Sequence, residues 1–508
     1  MDFHQAPPTL SNTFLSDSNL KDVLKKYVAP DFLSTIEKHL DHVGELACGK
    51  WLEWSREAEA RPPELTTFDP WGRRIDRIRM SEGWKNLEAA AATEGIVASG
   101  YERKFGDRSR VYQAALLYLF HPSSAFVSCP LAMTDGAARA IELYGDDELK
   151  KNAFTRLTSR DPSKFWTSGQ WMTEKTGGSD VSGTSTIASP SSRPIDGFDW
   201  KLDGVKWFTS ATTSQMAMLL ARPDGAELGS RGLSLFYTEL RDGNGALKNI
   251  EILRLKDKLG TRALATAELH LRGTPAKLVG SEGGGVRKIS SLFNITRVYN
   301  SVCATGHFRR ALDLAQSYSR VREAFGRRLV DHPLHAATLE HLEDEYAKCL
   351  ELSFYVAHLL GKDECGTASE DERILLRALT PIVKLFTAKR CMEGVSEVVE
   401  LFGGAGYVED TGIPTLLRDA QVFSIWEGTT NVLSLDFLRA LEKENAAPIL
   451  LKKIQNDFAS AIEGPAKAPW ETMQSILKNA KGDRASLERE ARRLAFAVAE
   501  IVALGLRT

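Results

Sequence analysis

The amino-acid sequence predicts an α+β fold in three parts. An N-terminal α-helical domain comes first, then a central antiparallel β-sheet domain, then a C-terminal four-helix bundle with an extra helical tail. Three observations carry this expectation. Apolar residues recur at helical spacing through residues 19–160. Between residues 166 and 280, Gly and Ser become frequent and short alternating runs replace that spacing. From Val286 onward, long helical patterns return. The expected boundaries are 1–165, 166–285, 286–443 and 444–508.

Each element has its own signal. Leu20–Tyr27, Asp31–His42 and Ala114–Leu119 have helical spacing, punctuated by Arg61-Pro62-Pro63 and Thr67-Phe68-Asp69-Pro70. The strand runs are Phe198–Leu202, Lys206–Thr209, Met216–Ala221, Leu233–Tyr237 and Glu268–Leu271. Gly283-Gly284-Gly285 closes that region. In the first long helix Ile289, Phe293, Ala304, Phe308, Ala311 and Ala315 recur near a 3.6-residue period. Further helices are expected over about 335–360, 372–401 and 431–441. In the tail, Leu487, Ala491, Leu494, Val498 and Ile501 line one helix face, with Arg489, Arg492 and Arg493 beside it.

Composition narrows the function classes. The chain has 508 residues, 43% hydrophobic and 26% charged, which excludes a largely disordered protein. Lys+Arg is 65 and Asp+Glu is 67, a net charge of -2 that argues against binding of a polyanion by the whole chain. No apolar run is long enough for a membrane span. Six cysteines are scattered without a CxxC pair, so neither a disulfide frame nor a zinc site is expected, and no metal ligand set is assigned. The first residues lack a basic segment followed by an apolar run. A cytoplasmic location is therefore expected, with mitochondrion and peroxisome left open.

Four segments have the composition of a chemical site. Met172-Thr173-Glu174-Lys175-Thr176-Gly177-Gly178-Ser179-Asp180 leaves a strand and enters a Gly-rich turn. Adjacent glycines let backbone N–H groups approach an anion, and Ser179 adds a hydroxyl, so a pyrophosphate suits it. Thr173 can hydrogen-bond a planar heterocycle. A surface β-turn without a ligand is the other reading. Lys206-Trp207-Phe208-Thr209-Ser210 offers an aromatic wall followed by hydroxyls; a plain strand with core aromatics also fits it. Arg322-Glu323-Ala324-Phe325-Gly326 ends a long helix, where the Arg can reach a phosphate or simply offset the helix dipole. The last is Leu401–Tyr407, with Gly403, Gly404 and Gly406, followed by Ile425-Trp426-Glu427-Gly428-Thr429-Thr430-Asn431. A Glu427 carboxylate between Trp426 and an apolar helix is partly desolvated, which makes it a stronger base. Arg297 lies on the apolar face of its helix and needs an anion, with Glu427 one candidate and a structural ion pair the other.

Together these segments resemble the acyl-CoA dehydrogenase flavoprotein family. The motifs MTEKTGGSD, KWFTS, RVREAFGRRL, LFGGAGY and IWEGTTN occur in the family's order and spacing. The AidB-like branch is the nearest likeness, through Phe68-Asp69-Pro70-Trp71-Gly72-Arg73-Arg74-Ile75-Asp76-Arg77, Arg254-Leu255-Lys256-Asp257-Lys258-Leu259-Gly260 and the Trp-Glu-Gly-Thr turn. The resemblance implies an acyl-CoA dehydrogenase-like fold and noncovalent FAD. Met172 and Thr173 would meet the flavin ring, Gly178 and Ser179 the pyrophosphate, and Phe208 would pack on the ring. Ser210 would lie near N5, where the family usually has Thr. Arg322 and Phe325 would reach the FAD of a neighbouring subunit in a homotetramer, with Gly404 completing that wall. Thr429 and Asn431 would lie near the adenosine diphosphate. Glu427 would be the catalytic base and Arg297 the arginine beside it. Pro333 and Glu400 stand where many members carry Gln, and Trp426 where they carry Tyr.

The activity so implied is α,β-dehydrogenation of an acyl-CoA or acyl-carrier thioester, as part of fatty acid metabolism. Electrons would pass to an electron-transfer flavoprotein or to oxygen. Two alternatives stand beside it. One is a DNA-binding flavoprotein of the alkylation response, as the branch's namesake suggests. Residues 440–508 hold 11 Lys+Arg against 9 Asp+Glu, a surplus too small to favour DNA over a solvated helix face. The other is a flavin oxidase acting on a non-thioester.

Overall fold

The computed structural model of the chain describes residues 5–480 and 482–508. Helices, then a β domain, then helices follow in the expected order. The backbone clusters into two units built from non-contiguous segments. One is the chain up to Gly49 with Glu102–Pro122 and Arg297–Thr508; the other is Lys50–Tyr101 with Ser123–Thr296.

The second unit contains a hairpin and the seven-stranded sheet. A hairpin of β1 (Glu64–Phe68) and β2 (Arg74–Arg79) occupies a stretch read from the sequence as helix and turn. Both faces of β1 stay partly exposed, so it carries no apolar alternation for a sequence pattern to show. The Asp69 carboxylate accepts the N–H of Trp71 and of Arg73, each at 2.9 Å, which fixes the turn.

The larger sheet has seven strands: β3 (Ser168–Trp171), β4 (Ile187–Ile195), β5 (Phe198–Ser210), β6 (Met216–Pro223), β7 (Ser234–Glu239), β8 (Ile250–Leu255) and β9 (Thr266–Leu278). They follow the order β3-β6-β4-β5-β9-β7, with β8 on β9 and a further β6–β7 pairing that returns the path to β6. Most pairings are antiparallel, as expected; β3 and β4 each meet β6 in parallel. The reason lies in β6. Met216, Met218 and Leu220 join one core cluster, while Ala217, Leu219 and Ala221 join another. A strand buried on both faces reads as a continuous apolar run and gives no hint of direction. The two runs Phe198–Leu202 and Lys206–Thr209 are one 13-residue strand. Its register against β9 shifts between Leu202 and Asp203 and again between Lys206 and Thr209. Such bulges re-aim side chains, and the second one sits at Trp207-Phe208.

The first unit is helical. The long helices are Gly285–Val321, which begins in the β-sheet unit, then Pro333–Glu364, Glu370–Leu401 and Thr430–Lys443. Ser369 and Glu372 cap the third reciprocally. A short 3-10 turn, Gly403–Tyr407, follows it where glycines crowd the sequence. The tail ends in the helix Arg484–Arg507, which buries Ala491, Leu494, Val498 and Ile501. Its Glu500 accepts from Lys348 at 2.7 Å, and Arg507 pairs with Asp344 at 2.6 Å. Arg489, Arg492 and Arg493 are on the exposed side of that helix. Among the described residues, no helix is long and apolar enough to cross a membrane, and no His/Cys/Asp/Glu group could hold a metal.

Helix contact in this unit depends on absent side chains. A Cβ on Gly306 would lie 2.5 Å from the backbone oxygen of Tyr118 in the helix Ser109–Phe120. Neither backbone can yield without disturbing its own hydrogen bonds. Gly306→Ala is therefore expected to cost about 1–3 kcal/mol by overpacking. Thermal unfolding checks this against Gly243→Ala, where nothing lies within 4 Å of the added carbon and the midpoint should hold.

Candidate functional site

Within the β-sheet unit, the expected flavin contacts are gathered by one buried ion pair. Chain leaving β3 passes Met172, which is buried, and Thr173, which is half-buried. The Thr173 carbonyl accepts the Trp207 N–H at 2.9 Å, tying this loop to β5. The loop then folds back, so that a Cβ on Gly178 would lie 3.0 Å from the Thr173 hydroxyl. Thr173, Gly178 and the Trp207-Phe208 segment are thus brought together. Ser210, two residues on, shares a hydrogen bond of 3.1 Å with the Thr266 hydroxyl.

Glu174 anchors the loop. Its carboxylate accepts from Lys206 Nζ at 2.7 Å, from the N–H and hydroxyl of Ser185, and from the N–H and hydroxyl of Thr186. Lys206 has no solvent exposure and also donates to the Leu220 carbonyl at 2.9 Å. Burial alone would raise the Glu174 carboxyl. The Lys206 ammonium and the hydroxyl donors outweigh it and hold the group at about 2. Neither residue was assigned a role from the sequence, although both lie inside the motifs.

The residues present fit a flat ring bearing a phosphate. Among the described residues, none accepts from the N–H of Gly178 or Ser179, so the exposed Gly-rich turn keeps two free donors for an anion. Phe208 is 51% exposed, a large apolar face that strand alternation would otherwise turn inward or replace by a polar group. Lys256 Nζ sits 3.8 Å from the Trp207 ring centre and 4.5 Å from that of Phe208.

In the helical unit, Glu427 occupies a turn between Gln421–Ser424 and the helix Thr430–Lys443. The residue is half-buried and left-handed, with φ +56°, and Gly428 follows at φ +107°. Two helices hold this turn. From the helix Gly285–Val321, Asn300 Nδ2 donates to the Phe423 carbonyl at 3.1 Å and Asn300 Oδ1 accepts from Trp426 Nε1. Three residues earlier, Arg297 Nε donates to the Glu427 carbonyl at 3.3 Å. The ion pair of Arg297 is with Asp436 at 2.8 Å, so the sequence's second candidate, a structural salt bridge, is present. Asp436 also receives Arg377 at 2.6 Å. From the helix Glu370–Leu401, Lys384 Nζ donates to the Gly428 carbonyl at 2.7 Å.

Five expected residues lie toward the surface of this unit. Phe325 is 97% exposed and left-handed at the tip of the hairpin Glu323–Ala324/Arg327–Arg328. Arg322 is half-buried and donates to Gln5 at 3.2 Å. Gly404, Thr429 and Asn431 are exposed. Sequence reasoning missed Asn300, Lys384 and Asp436. Lys384 alone left a signal: it interrupts the apolar run Ile382-Val383-Lys384-Leu385-Phe386 with no carboxylate one helical turn away.

Comparison with known proteins shows the family. Family models match in chain order: the adaptive response protein AidB N-terminal domain over 5–162, the acyl-CoA dehydrogenase middle domain over 169–274 and the acyl-CoA dehydrogenase C-terminal domain over 283–441. The chain is 42% identical to acyl-CoA dehydrogenase family member 11 of Caenorhabditis elegans, across 98% of this chain and 84% of that one. It is 32% identical to AidB of Escherichia coli (strain K12), across 88% and 81%. Among solved structures, the apo form of Bd2924 superposes with TM-score 0.96 at 58% identity, covering 100% of this chain and 99% of that one. Caenorhabditis elegans ACDH-11 in complex with C11-CoA superposes with TM-score 0.94 at 41% identity, covering 99% and 88%. The chain belongs to the acyl-CoA dehydrogenase family, whose members are oxidoreductases acting on CH–CH groups. Within that family it falls on the AidB-like branch.

The Glu174–Lys206 pair gives a stability prediction. Lys206→Met leaves a buried carboxylate without its cation and is expected to cost about 3–5 kcal/mol. The pH dependence follows from the depressed Glu174 carboxyl. Its contribution is complete above about 4.5, the unfolded value, and is lost as pH falls toward about 2. Calorimetric midpoints should fall more steeply between pH 5 and pH 3 for wild type than for Glu174→Gln.

Proposed function

We propose that this chain is an FAD-dependent dehydrogenase of acyl-CoA thioesters in which Glu427 is the catalytic base and Arg297 the residue beside it. The observation that carries the reading is the Glu427 turn: a carboxylate on a strained, left-handed residue whose carbonyl and whose neighbour's carbonyl are each held by a cation. Strain of this kind persists where the surroundings over-determine it, most often at sites of function. Supporting it are the family membership, the C11-CoA complex of the Caenorhabditis elegans relative and the two free N–H donors of the Gly178-Ser179 turn.

Glu427 takes the α-proton of the thioester. That proton is only weakly acidic, so preorganised donors must stabilise charge on the thioester oxygen as it leaves. Bound FAD supplies the acceptor for the β-hydride. Met172 and Thr173 would hold its ring edge, Gly178 and Ser179 its pyrophosphate, and Phe208 and Ser210 the ring's face and reactive edge. The product is a trans-2-enoyl thioester, and the electrons leave to an electron-transfer flavoprotein or to oxygen.

Arg322 and Phe325, with Gly404, would complete the cofactor site of a neighbouring subunit, which makes the active form an oligomer, a homotetramer by family likeness; Thr429 and Asn431 would lie near the adenosine diphosphate. Support comes from Phe325, Tyr407 and Leu334, which are 97%, 88% and 82% exposed in the isolated chain. Large apolar groups so exposed are available to a contact surface.

The test is anaerobic reduction of the flavin in the purified holoenzyme by acyl-CoAs of different length. Glu427→Gln, with FAD still bound, should slow bleaching by about 10²–10⁴-fold, the usual contribution of a general base. Bleaching at the wild-type rate would refute the assignment.

A further inference from the structure

Lys384 is a lysine without solvent exposure in the middle of the helix Glu370–Leu401. Its neighbours in sequence, Ile382, Val383, Leu385 and Phe386, are buried apolar residues. A buried ammonium is costly unless something in the fold uses it. The charged groups that bear on it are Glu427, from the turn, and Arg297, from the helix Gly285–Val321. Asp436, on the helix Thr430–Lys443, is engaged with Arg297 and Arg377. Burial pushes Lys384 down to about 7, even though Glu427 pulls it upward.

We propose that Lys384 is a positioning residue for the base: donating to the Gly428 carbonyl at 2.7 Å, it closes with Arg297 a two-cation clamp on the consecutive carbonyls of Glu427 and Gly428. The clamp does two things. It holds a backbone that the left-handed φ of Glu427 would otherwise release. It also sets positive charge near Glu427, which favours the carboxylate over the acid. This inference rests on the reading of Glu427 as base and adds the group that sets its geometry and ionisation. Lys384 touches neither substrate nor cofactor in this scheme; it acts through the turn.

The experiment compares wild-type holoenzyme, Lys384→Met, Lys384→Gln and Glu427→Gln, with C11-CoA as the probe. Hydrogen exchange of the peptide spanning residues 423–431, read by mass spectrometry, reports on the turn without turnover. In Lys384→Met that peptide should exchange faster while the rest of the chain is unchanged. The rate of flavin reduction should fall on the order of 10²-fold, the usual effect of a small misplacement. The acid limb of its pH profile should move up by about one unit, because a carboxylate that loses a cation binds its proton more tightly. Lys384→Gln keeps a donor for the Gly428 carbonyl but no charge. It should restore slow exchange and much of the rate while keeping the shifted acid limb.

Wild-type exchange and an unshifted limb in either variant would overturn the proposal, as would failure of both variants to fold, which would make the cation a general structural requirement. The two readings separate cleanly. If Glu427→Gln bleaches like wild type, the base assignment falls and takes the clamp's purpose with it. If Glu427→Gln is silent and the Lys384 variants behave as wild type, only the clamp falls.

Discussion

The helical unit depends on a backbone that its own residues disfavour. Glu427 at φ +56° and Gly428 at φ +107° form a turn that a non-glycine residue enters only at a cost of about 1–3 kcal/mol. The fold holds that turn with tertiary hydrogen bonds. Arg297 takes one carbonyl, Lys384 the next, and Asn300 fixes the loop just before them through the Phe423 carbonyl and the Trp426 indole. Arg297 is in turn oriented by Asp436, which Arg377 shares. Two long helices and one short one thereby act on six residues of chain. On the proposed reading of Glu427 as base, a backbone held this way narrows where its carboxylate meets a weakly acidic C–H.

A similar device appears in the β-sheet unit. Lys206, fully buried on β5, ties the Met172–Asp180 loop to the sheet through Glu174, as Lys384 ties the Glu427 turn to its helix. The two differ in partner. Lys206 meets a carboxylate that four further donors satisfy, so the pair is closed and neutral overall. Lys384 meets a carbonyl and has its ammonium weakened by burial to about 7, with Glu427 pulling the other way. The first arrangement suits a scaffold that must stay put across a wide pH range. The second suits a place where charge influences chemistry. Both rest on the same physics: in a low-dielectric interior a lysine without a dedicated partner would be expelled or neutralised.

Much of the fold was legible in the sequence because burial imposes a period. The helix Gly285–Val321 was visible in Ile289, Phe293, Ala304 and Phe308, and the reciprocal cap of Glu370–Leu401 begins where its apolar pattern begins. The hairpin of β1 and β2 was missed because neither face of it is fully buried, so no alternation was imposed on it. The parallel pairings of β6 were missed because a strand buried on both faces is apolar throughout. The phase of β5 was obscured by two bulges, each of which resets the period of two.

By itself, then, the sequence determined the order of elements and marked the loops with chemical character, because local spacing and glycine content act over a few neighbouring residues. Only the tertiary structure decided what holds those loops. Lys384 lies 43 positions before Glu427 and Asn300 lies 126 before Trp426. No periodicity links such pairs. Their meeting is a consequence of how helices pack, and the energy of a buried cation depends on which atoms that packing brings within reach.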